Sequence, residues 1–155
     1  MSDLAAPRLE HVADLDIELA EAMEVGETGA GERRVIPIIG GTVKGPRLNG
    51  RIRPAGADFQ IIRPNGVAEL HACYVIEADS GEPISVENRG IRHGPPELIA
   101  RLRRGEEVDP DLIYFRTLPR FETASPRHQF LNRHLFIGIG ARYPDRVKLG
   151  LWMLG

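Results

Sequence analysis

Residues 57–78 read ADFQIIRPNGVAELHACYVIEA, and this stretch decides the fold. The strand-like run from Ala57 to Arg63 ends at Pro64-Asn65-Gly66, where proline fixes one φ and Asn-Gly accepts positive φ. The next run, Val67 to Ala78, is the longest clear strand pattern in the chain. Two extended runs joined by an Asn-Gly turn predict a β-hairpin.

Strand patterns continue on both sides of this hairpin. Turn signals recur about every ten residues, a spacing that favours an all-β sandwich or a closed barrel. Near the start, Leu15, Ile17 and Leu19 alternate with acidic residues, which predicts a half-buried strand. A loop is expected over Gly26–Gly31 before the next strand. Taken over the whole chain, these strand and turn patterns predict about eight to ten strands.

One segment predicts a helix. Residues 95–105 read PPELIARLRRG, with prolines at the start, an acid in the first turn, arginines in the last turn and a final glycine. We place this short helix near residues 96–104. The length of 155 residues suits one domain, which we assign to residues 9–155, after a flexible N-terminal segment at 1–8.

Composition excludes several classes of protein. The 20 basic and 22 acidic residues give a net charge of −2, which argues against a general nucleic-acid binder. The single cysteine, Cys73, excludes an internal disulfide and a four-cysteine zinc site. No apolar run is long enough to span a membrane, and the acidic N-terminus does not resemble a signal peptide. We therefore expect a cytoplasmic protein that has neither nucleic acid nor membrane as a partner.

Standard cofactor and nucleophile motifs are absent. The chain has no GxxxxGK[ST], GxSxG or HExxH pattern, and its five histidines show no i, i+4 pairing. Residues 26–31, GETGAG, do not lead into a helix and so do not form a dinucleotide-binding loop. We expect neither a metal ion nor a cofactor.

The strand from Val67 to Ala78 has one mixed face. Its even face carries only alanine, leucine, tyrosine and isoleucine, whereas its odd face carries Glu69, His71, Cys73 and Glu77. In one interpretation, the even face is the core and the odd face is solvent-exposed. In the other, His71 points into a cavity, where it would act as an acid or base near neutral pH.

A second concentration of polar groups follows the helix. Tyr114 and Arg116 share a strand face with two leucines, an arrangement that suits two polar anchors in an apolar cavity gripping a carboxylate or carbonyl oxygen. A surface arginine on an edge strand, or a structural pair of Arg116 with Glu122, explains the same pattern. Asn132 is consistent with another cavity group or with a cap at the start of a strand.

The stretch 34–50, RVIPIIGGTVKGPRLNG, followed by PAGADF at 54–59, resembles the pattern IxGGxxxGPxLxGxxxPGGADW of the domain-of-unknown-function 3237 family. Shorter blocks also fit in order: RPNG at 63–66, DSG at 79–81, YFRT at 114–117, FET at 121–123, LNR at 131–133 and LFIG at 135–138. The resemblance covers the chain from about Leu9 to Leu154.

This resemblance implies a single small antiparallel β-barrel, lipocalin-like or allene-oxide-cyclase-like in outline, and it implies no assigned reaction. The family's motif positions fall on these residues: Asp58, Tyr114, Arg116, Glu122, Thr123 and Asn132. The sequence departs from the pattern at Ala55, which replaces a glycine, at Phe59, which replaces tryptophan, and at His71, which stands where an acid is expected.

Two functions follow from a small barrel that holds one ligand. The first is a cofactor-free isomerase, lyase or cyclase acting on a small apolar compound with a carbonyl or carboxylate. Asp58 or His71 would move the proton, and the substrate would be bound by these residues: Tyr114, Arg116, Glu122, Thr123 and Asn132. The second is a carrier that binds a small molecule without turnover. The apolar strand 149–154 suits either closure of the barrel or pairing in a homo-oligomer.

Overall fold

The computed structural model describes all 155 residues. Nine strands account for most of the chain. Their bounds are β1 (Leu9–Leu19), β2 (Met23–Thr28), β3 (Gly31–Lys44), β4 (Gly50–Ile62), β5 (Ala68–Ala78), β6 (Pro83–His93), β7 (Tyr114–Glu122), β8 (Phe136–Tyr143) and β9 (Arg146–Leu154). The helices are α1 (Pro96–Arg103) and α2 (Phe130–Arg133), with 3-10 turns at Pro110–Leu112 and Pro126–His128.

The sheet closes into a barrel because β1 pairs on one side with β9 and on the other with β3. Eight antiparallel strands form the barrel, and β2 is an extra strand beside the first half of β3. The predicted all-β barrel is confirmed. The loop expected over Gly26–Gly31 is wrong in extent, since half of it belongs to β2, where backbone pairing with β3 outweighs the glycine-rich sequence, and only residues 29–30 form the turn.

The central hairpin forms as the sequence predicts. Ile62 of β4 pairs with Ala68 of β5 across the Pro64–Gly66 turn. On β5 the even positions point into the barrel, and Tyr74 and Ile76 are almost fully buried. The C-terminal strand β9 lies between β1 and β8, so its apolar residues serve barrel closure.

Two irregularities bend the long strands β3 and β4. Register shifts occur between Pro37 and Gly41 on β3 and between Ile52 and Gly56 on β4. Gly41 has φ of 145° and Gly56 has φ of 125°, conformations that side-chain-bearing residues rarely adopt. A Cβ on Gly41 would also collide with the carbonyl of Asp16 on β1. These glycines therefore allow the sheet to curve back on itself.

The two ends of the barrel differ. At one end, which we call the closed end, a cluster of 19 buried apolar residues fills the interior, and Leu131 of α2 belongs to it. At the other, the open end, α1 lies across the mouth, and Leu98, Ile99 and Leu102 pack on a smaller cluster that includes Leu70 and Phe115. The predicted helix near 96–104 is confirmed, and α2 was not predicted. Neither helix has the length and apolar character needed to cross a bilayer.

Candidate functional site

Polar side chains occupy the half of the barrel interior that lies towards the open end. On β6 the inward face begins with Ile84 and Val86 at the closed end and continues with Asn88 and Arg92 at the open end. The inward face of β4 carries Asp58 and Gln60, and that of β8 carries Arg142. Polar groups from non-neighbouring strands therefore converge on one space.

That space is an inner cavity of about 40 Å³. It is lined on one side by apolar residues such as Ile36, Leu70 and Phe115. Its polar lining residues are Asp58, Gln60, Tyr74, Asn88, Arg92, Thr117 and Arg142. Above it, beneath α1, lies an open vestibule of about 870 Å³, which shares Leu19, Arg92 and Arg142 with the cavity. The shared residues stand where a ligand would pass from one space to the other.

Asp58 is the only carboxyl group that lines the inner cavity. Its Oδ1 accepts a hydrogen bond from the backbone N–H of His71 at 3.0 Å, and its Oδ2 accepts one from the Gln60 amide at 2.8 Å. A carboxylate has about four lone-pair positions, so both oxygens keep capacity for a further partner. Burial raises the pKa of Asp58, and the Gln60 hydrogen bond and the charge of Arg92 oppose this effect only in part.

Arg92 is a buried cation without a carboxylate partner. Only 7% of the residue is exposed, and its Nε has no hydrogen-bond partner. Its guanidinium carbon lies 5.7 Å from the centre of the Phe115 ring, within cation–π range. The pKa of Arg92 is lowered to about 10, mainly by burial and also by the nearby charges of Arg142 and Arg34, whereas the attraction of Asp58 acts against this change. The group therefore stays charged at neutral pH.

Two further arginines stand near Arg92. Arg142 is half-buried, its Nη1 donates only to the backbone carbonyl of Arg146 at 3.4 Å, and burial lowers its pKa. Arg34 is buried at the vestibule, where its Nε pairs with Glu24 at 2.9 Å. Arg92 and Arg142 have no carboxylate within ion-pair distance, so the inner cavity is electropositive.

Five buried polar atoms around the cavity lack a hydrogen-bond partner: Gln60 Oε1, Tyr74 OH, Asn88 Oδ1, Arg92 Nε and Thr117 Oγ1. Buried polar groups are normally paired, so such a concentration marks a place where a ligand or water supplies the partners. Thr117 fits here because its neighbours across the sheet, Gly90 and Gly138, have no Cβ to collide with it.

The structure places Asp58 in this cavity and the other predicted catalytic residue, His71, on the outer face of β5. The interpretation that His71 enters the cavity is wrong, because the even positions of β5 are the ones that point inward. His71 Nε2 lies 3.6 Å from Cys73 Sγ and 3.5 Å from Glu87 Oε1.

Tyr114 and Arg116 lie on the outer face of β7. Tyr114 is 48% exposed, and the Arg116 guanidinium packs over its ring at 5.3 Å. The expectation that they face the cavity is wrong, because the inward face of β7 is formed by Phe115, Thr117 and Phe121. A slip of one residue exchanges the two faces of a strand, and the outward face here also carries Arg120 and Glu122.

The remaining predicted residues, Glu122, Thr123 and Asn132, lie at the closed end. Asn132 Oδ1 accepts from Thr123 N at 2.9 Å, and its Nδ2 donates to Thr123 O at 2.8 Å. This amide clamps the loop after β7 to α2. Glu122 is exposed at the end of β7. None of the three lines the inner cavity, so the structure does not bring them together with Asp58.

Sequence reasoning missed five polar residues of the cavity: Gln60, Asn88, Arg92, Thr117 and Arg142. A signal for them exists in the alternation itself. On β6 the buried face that starts with Ile84 and Val86 leads by steps of two to Asn88 and Arg92. An apolar strand face that turns polar towards one end therefore indicates a cavity at that end. The structure brings no three His, Cys, Asp or Glu side chains together in a way that could hold a metal ion.

Comparison with known proteins places the chain in a family. Residues 7–154 match the family model described as a protein of unknown function (DUF3237). The chain belongs to the DUF3237 family. A UPF0311 protein of Rhodopseudomonas palustris (strain TIE-1) is 54% identical over 145 residues, which cover 92% of this chain and 95% of that protein. The resemblance found in the sequence motifs is confirmed.

Proteins of known structure share this barrel. The crystal structure of a conserved protein of unknown function from Rhodopseudomonas palustris has a TM-score of 0.95 and 47% identity, and covers 98% of this chain and 100% of that one. An enzyme from Penicillium herquei has a TM-score of 0.74 and 18% identity, and covers 100% of this chain and 99% of that one. At 18% identity, the second likeness concerns the fold alone.

Proposed function

We propose that this DUF3237 protein is a cofactor-independent enzyme of the isomerase, lyase or cyclase type, with Asp58 as the group that moves the proton. Its substrate is a small, mostly apolar compound with a carbonyl or carboxylate that enters the inner cavity. One observation carries the proposal: the only carboxyl group of the cavity has a raised pKa and faces two unpaired guanidinium groups. Perturbed acids in clefts are typical of catalytic sites.

The proposed step is abstraction of a proton from a carbon next to a carbonyl or carboxylate. The proton goes to the Asp58 carboxylate, whose raised pKa makes it a stronger base than an ordinary aspartate. The electron pair of the broken C–H bond passes into an enolate, and its negative charge develops on oxygen. Arg92 and Arg142 line the same cavity and would stabilise that charge.

Hydrogen bonds hold Asp58 in position for this step. The backbone N–H of His71 and the amide of Gln60 bind one carboxylate oxygen each, which fixes the plane of the group. Tyr74 does not compete as a base, because burial raises the pKa of its hydroxyl and keeps it protonated. Asp58 is thus the one group in the cavity suited to accept a proton near neutral pH.

The test is deuterium wash-in, which needs no knowledge of the product. Levulinate, 2-oxobutanoate and butanone are incubated with the protein in D₂O, and loss of the C–H signal next to the carbonyl is followed by NMR. We expect the wild type to accelerate exchange and Asp58→Asn to lose at least about 100-fold of the acceleration, the scale of general-base catalysis. Asp14→Asn, which changes an exposed carboxylate, is the matched control.

The carrier function is the other outcome of this experiment. Carbonyl compounds that stabilise the protein but exchange no faster than in buffer would identify a binding protein. In the proposal, the partner is the small molecule inside the barrel and the protein resides in the cytoplasm. The expectations about nucleic acid, membranes and self-assembly stay predictions.

A further inference from the structure

The charge of the inner cavity is unbalanced. Two guanidinium groups, Arg92 and Arg142, line its upper end, and a third, Arg34, lies in the vestibule above it. Glu24 pairs with Arg34, and Asp145 attracts Arg142 from the vestibule while it is ion-paired with Arg146. Inside the cavity, Asp58 is the only carboxylate that faces Arg92 and Arg142. One positive charge is left over in a place where water is largely excluded. A buried charge without a partner is costly, and a bound carboxylate, which accepts two parallel hydrogen bonds from a guanidinium, removes that cost.

The unpaired atoms deeper in the cavity require a hydrogen-bond donor on the ligand. Asn88 Oδ1 and Gln60 Oε1 are acceptors and need a donor, which a carboxylate cannot supply. Both lie near Asp58. The Gln60 amide binds it directly, and Asn88 and Asp58 pair with the same residue, Ala72, from its two sides. A hydroxyl group on the ligand would donate to one of these oxygens.

The size of the cavity limits what enters it. Its volume of about 40 Å³ corresponds to about three water-sized positions, at roughly 10–15 Å³ each. That is room for a carboxylate and one hydroxyl-bearing carbon. Any larger, apolar part of the ligand remains in the vestibule, where Leu19, Ile99 and Leu102 supply apolar surface.

We propose that the inner cavity recognises the head of a 2-hydroxy carboxylate, with the carboxylate on Arg92 and Arg142 and the hydroxyl on Asn88. The inference names the ligand class of the site described above and rests on the proposed function for the choice of that cavity. In this pose the carbon that carries the hydroxyl is directed towards Asp58, and its hydrogen is the proton that the base removes.

The test uses probes that contain only the head group. Glycolate has both groups, acetate lacks the hydroxyl, and glycolamide lacks the charge. Each is titrated against the wild type by thermal shift, with sodium chloride keeping the ionic strength constant. We expect glycolate to bind about fivefold more tightly than acetate, the scale of one hydrogen bond. Glycolamide should produce no shift beyond that of chloride.

Variants assign the response to the cavity. Arg92→Met should abolish the response to both acids, and Arg92→Lys, which keeps the charge but not the paired donors, should retain part of it. Asn88→Leu, or Asn88→Ala as the smaller change, should reduce the affinity for glycolate to that for acetate. Arg89→Met is the control, because Arg89 is on the same strand but on the outer face, with its side chain 66% exposed.

Each failure has its own meaning. Acids that act no better than chloride, or a response that survives in Arg92→Met, would overturn the carboxylate site, and equal binding of glycolate and acetate would overturn the hydroxyl contact. Deuterium wash-in that depends on Asp58 in a protein that ignores glycolate would leave the proposed enzyme standing with another ligand class. Glycolate binding without wash-in would leave the ligand class standing and make the protein a carrier.

Discussion

Replacing Arg92 by methionine should stabilise the empty protein. Arg92 carries its charge into the barrel with 7% of the residue exposed, no carboxylate within ion-pair distance and an unbonded Nε. Methionine is long, flexible and apolar, so it fills most of the same space next to Phe115. A residue kept for ligand binding at the expense of stability is typical of functional sites.

The magnitude follows from the burial of the charge. Lowering the pKa of a guanidinium from 12.5 to about 10 corresponds to about 3 kcal/mol. Against this, the variant loses the contact with the Phe115 ring at 5.7 Å, which is worth about 1 kcal/mol. We therefore expect the free energy of unfolding to rise by about 2 kcal/mol. For a chain of this length, that gain raises the melting temperature by about 4–8 °C.

Urea unfolding at pH 7 measures the change. The midpoint should increase in Arg92→Met with an unchanged slope, and Arg89→Met on the outer face of β6 should stay within about 0.5 kcal/mol of the wild type. A loss of stability of 1 kcal/mol or more in Arg92→Met would refute the reasoning. It would mean that Arg92 has favourable partners in the empty barrel and that the cavity holds no excess positive charge.

Two further perturbations test the site and its cover. Because the pKa of Asp58 is raised, binding of its proton stabilises the folded state, fully below about pH 3.8 and less as pH rises through the raised pKa. Asp58→Asn should therefore be more stable than the wild type at pH 7, as measured by urea unfolding, and should lose that advantage towards pH 4. An advantage that does not change with pH would contradict this. Arg103 forms ion pairs that hold α1 to Glu32 and Glu24, so Arg103→Ala should speed amide hydrogen exchange across α1 by up to about fivefold. Arg101→Ala should have less effect, because its partner Glu106 is in the adjacent loop. Equal effects of the two variants would show that the Arg103 ion pairs do not hold the helix over the mouth.

Much of the fold could be predicted because its signals are local. The Asn-Gly turn after Ala57–Arg63 and the alternation on β5 depend on the φ preferences and polarity of neighbouring residues, and both features appear as expected. The helix also follows from local signals in residues 95–105. By contrast, β2 has an exposed and glycine-containing sequence, and it is a strand only because β3 offers it backbone partners.

Sequence reasoning found one residue of the site and missed the other residues that line the cavity. Asp58 could be selected from the family motif, and it does line the cavity. Tyr114 and Arg116 were selected because an arginine among apolar residues indicates an anchor, but the same face of β7 also carries Arg120 and Glu122, which favour exposure to solvent. The inward face carries Phe115 and Phe121, and pairing with β6 sets Phe115 opposite Arg92.

The sequence by itself determined that this chain makes many short antiparallel strands, where they turn and which family they belong to, since turn chemistry and alternation act over a few residues. Only the closed barrel decided that Asp58, Arg92 and Arg142, from β4, β6 and β8, meet in one cavity. The raised pKa of Asp58 and the unpaired charge of Arg92 arise from that meeting, because desolvation and electrostatic interactions depend on what surrounds a group in space and not on its neighbours in the chain.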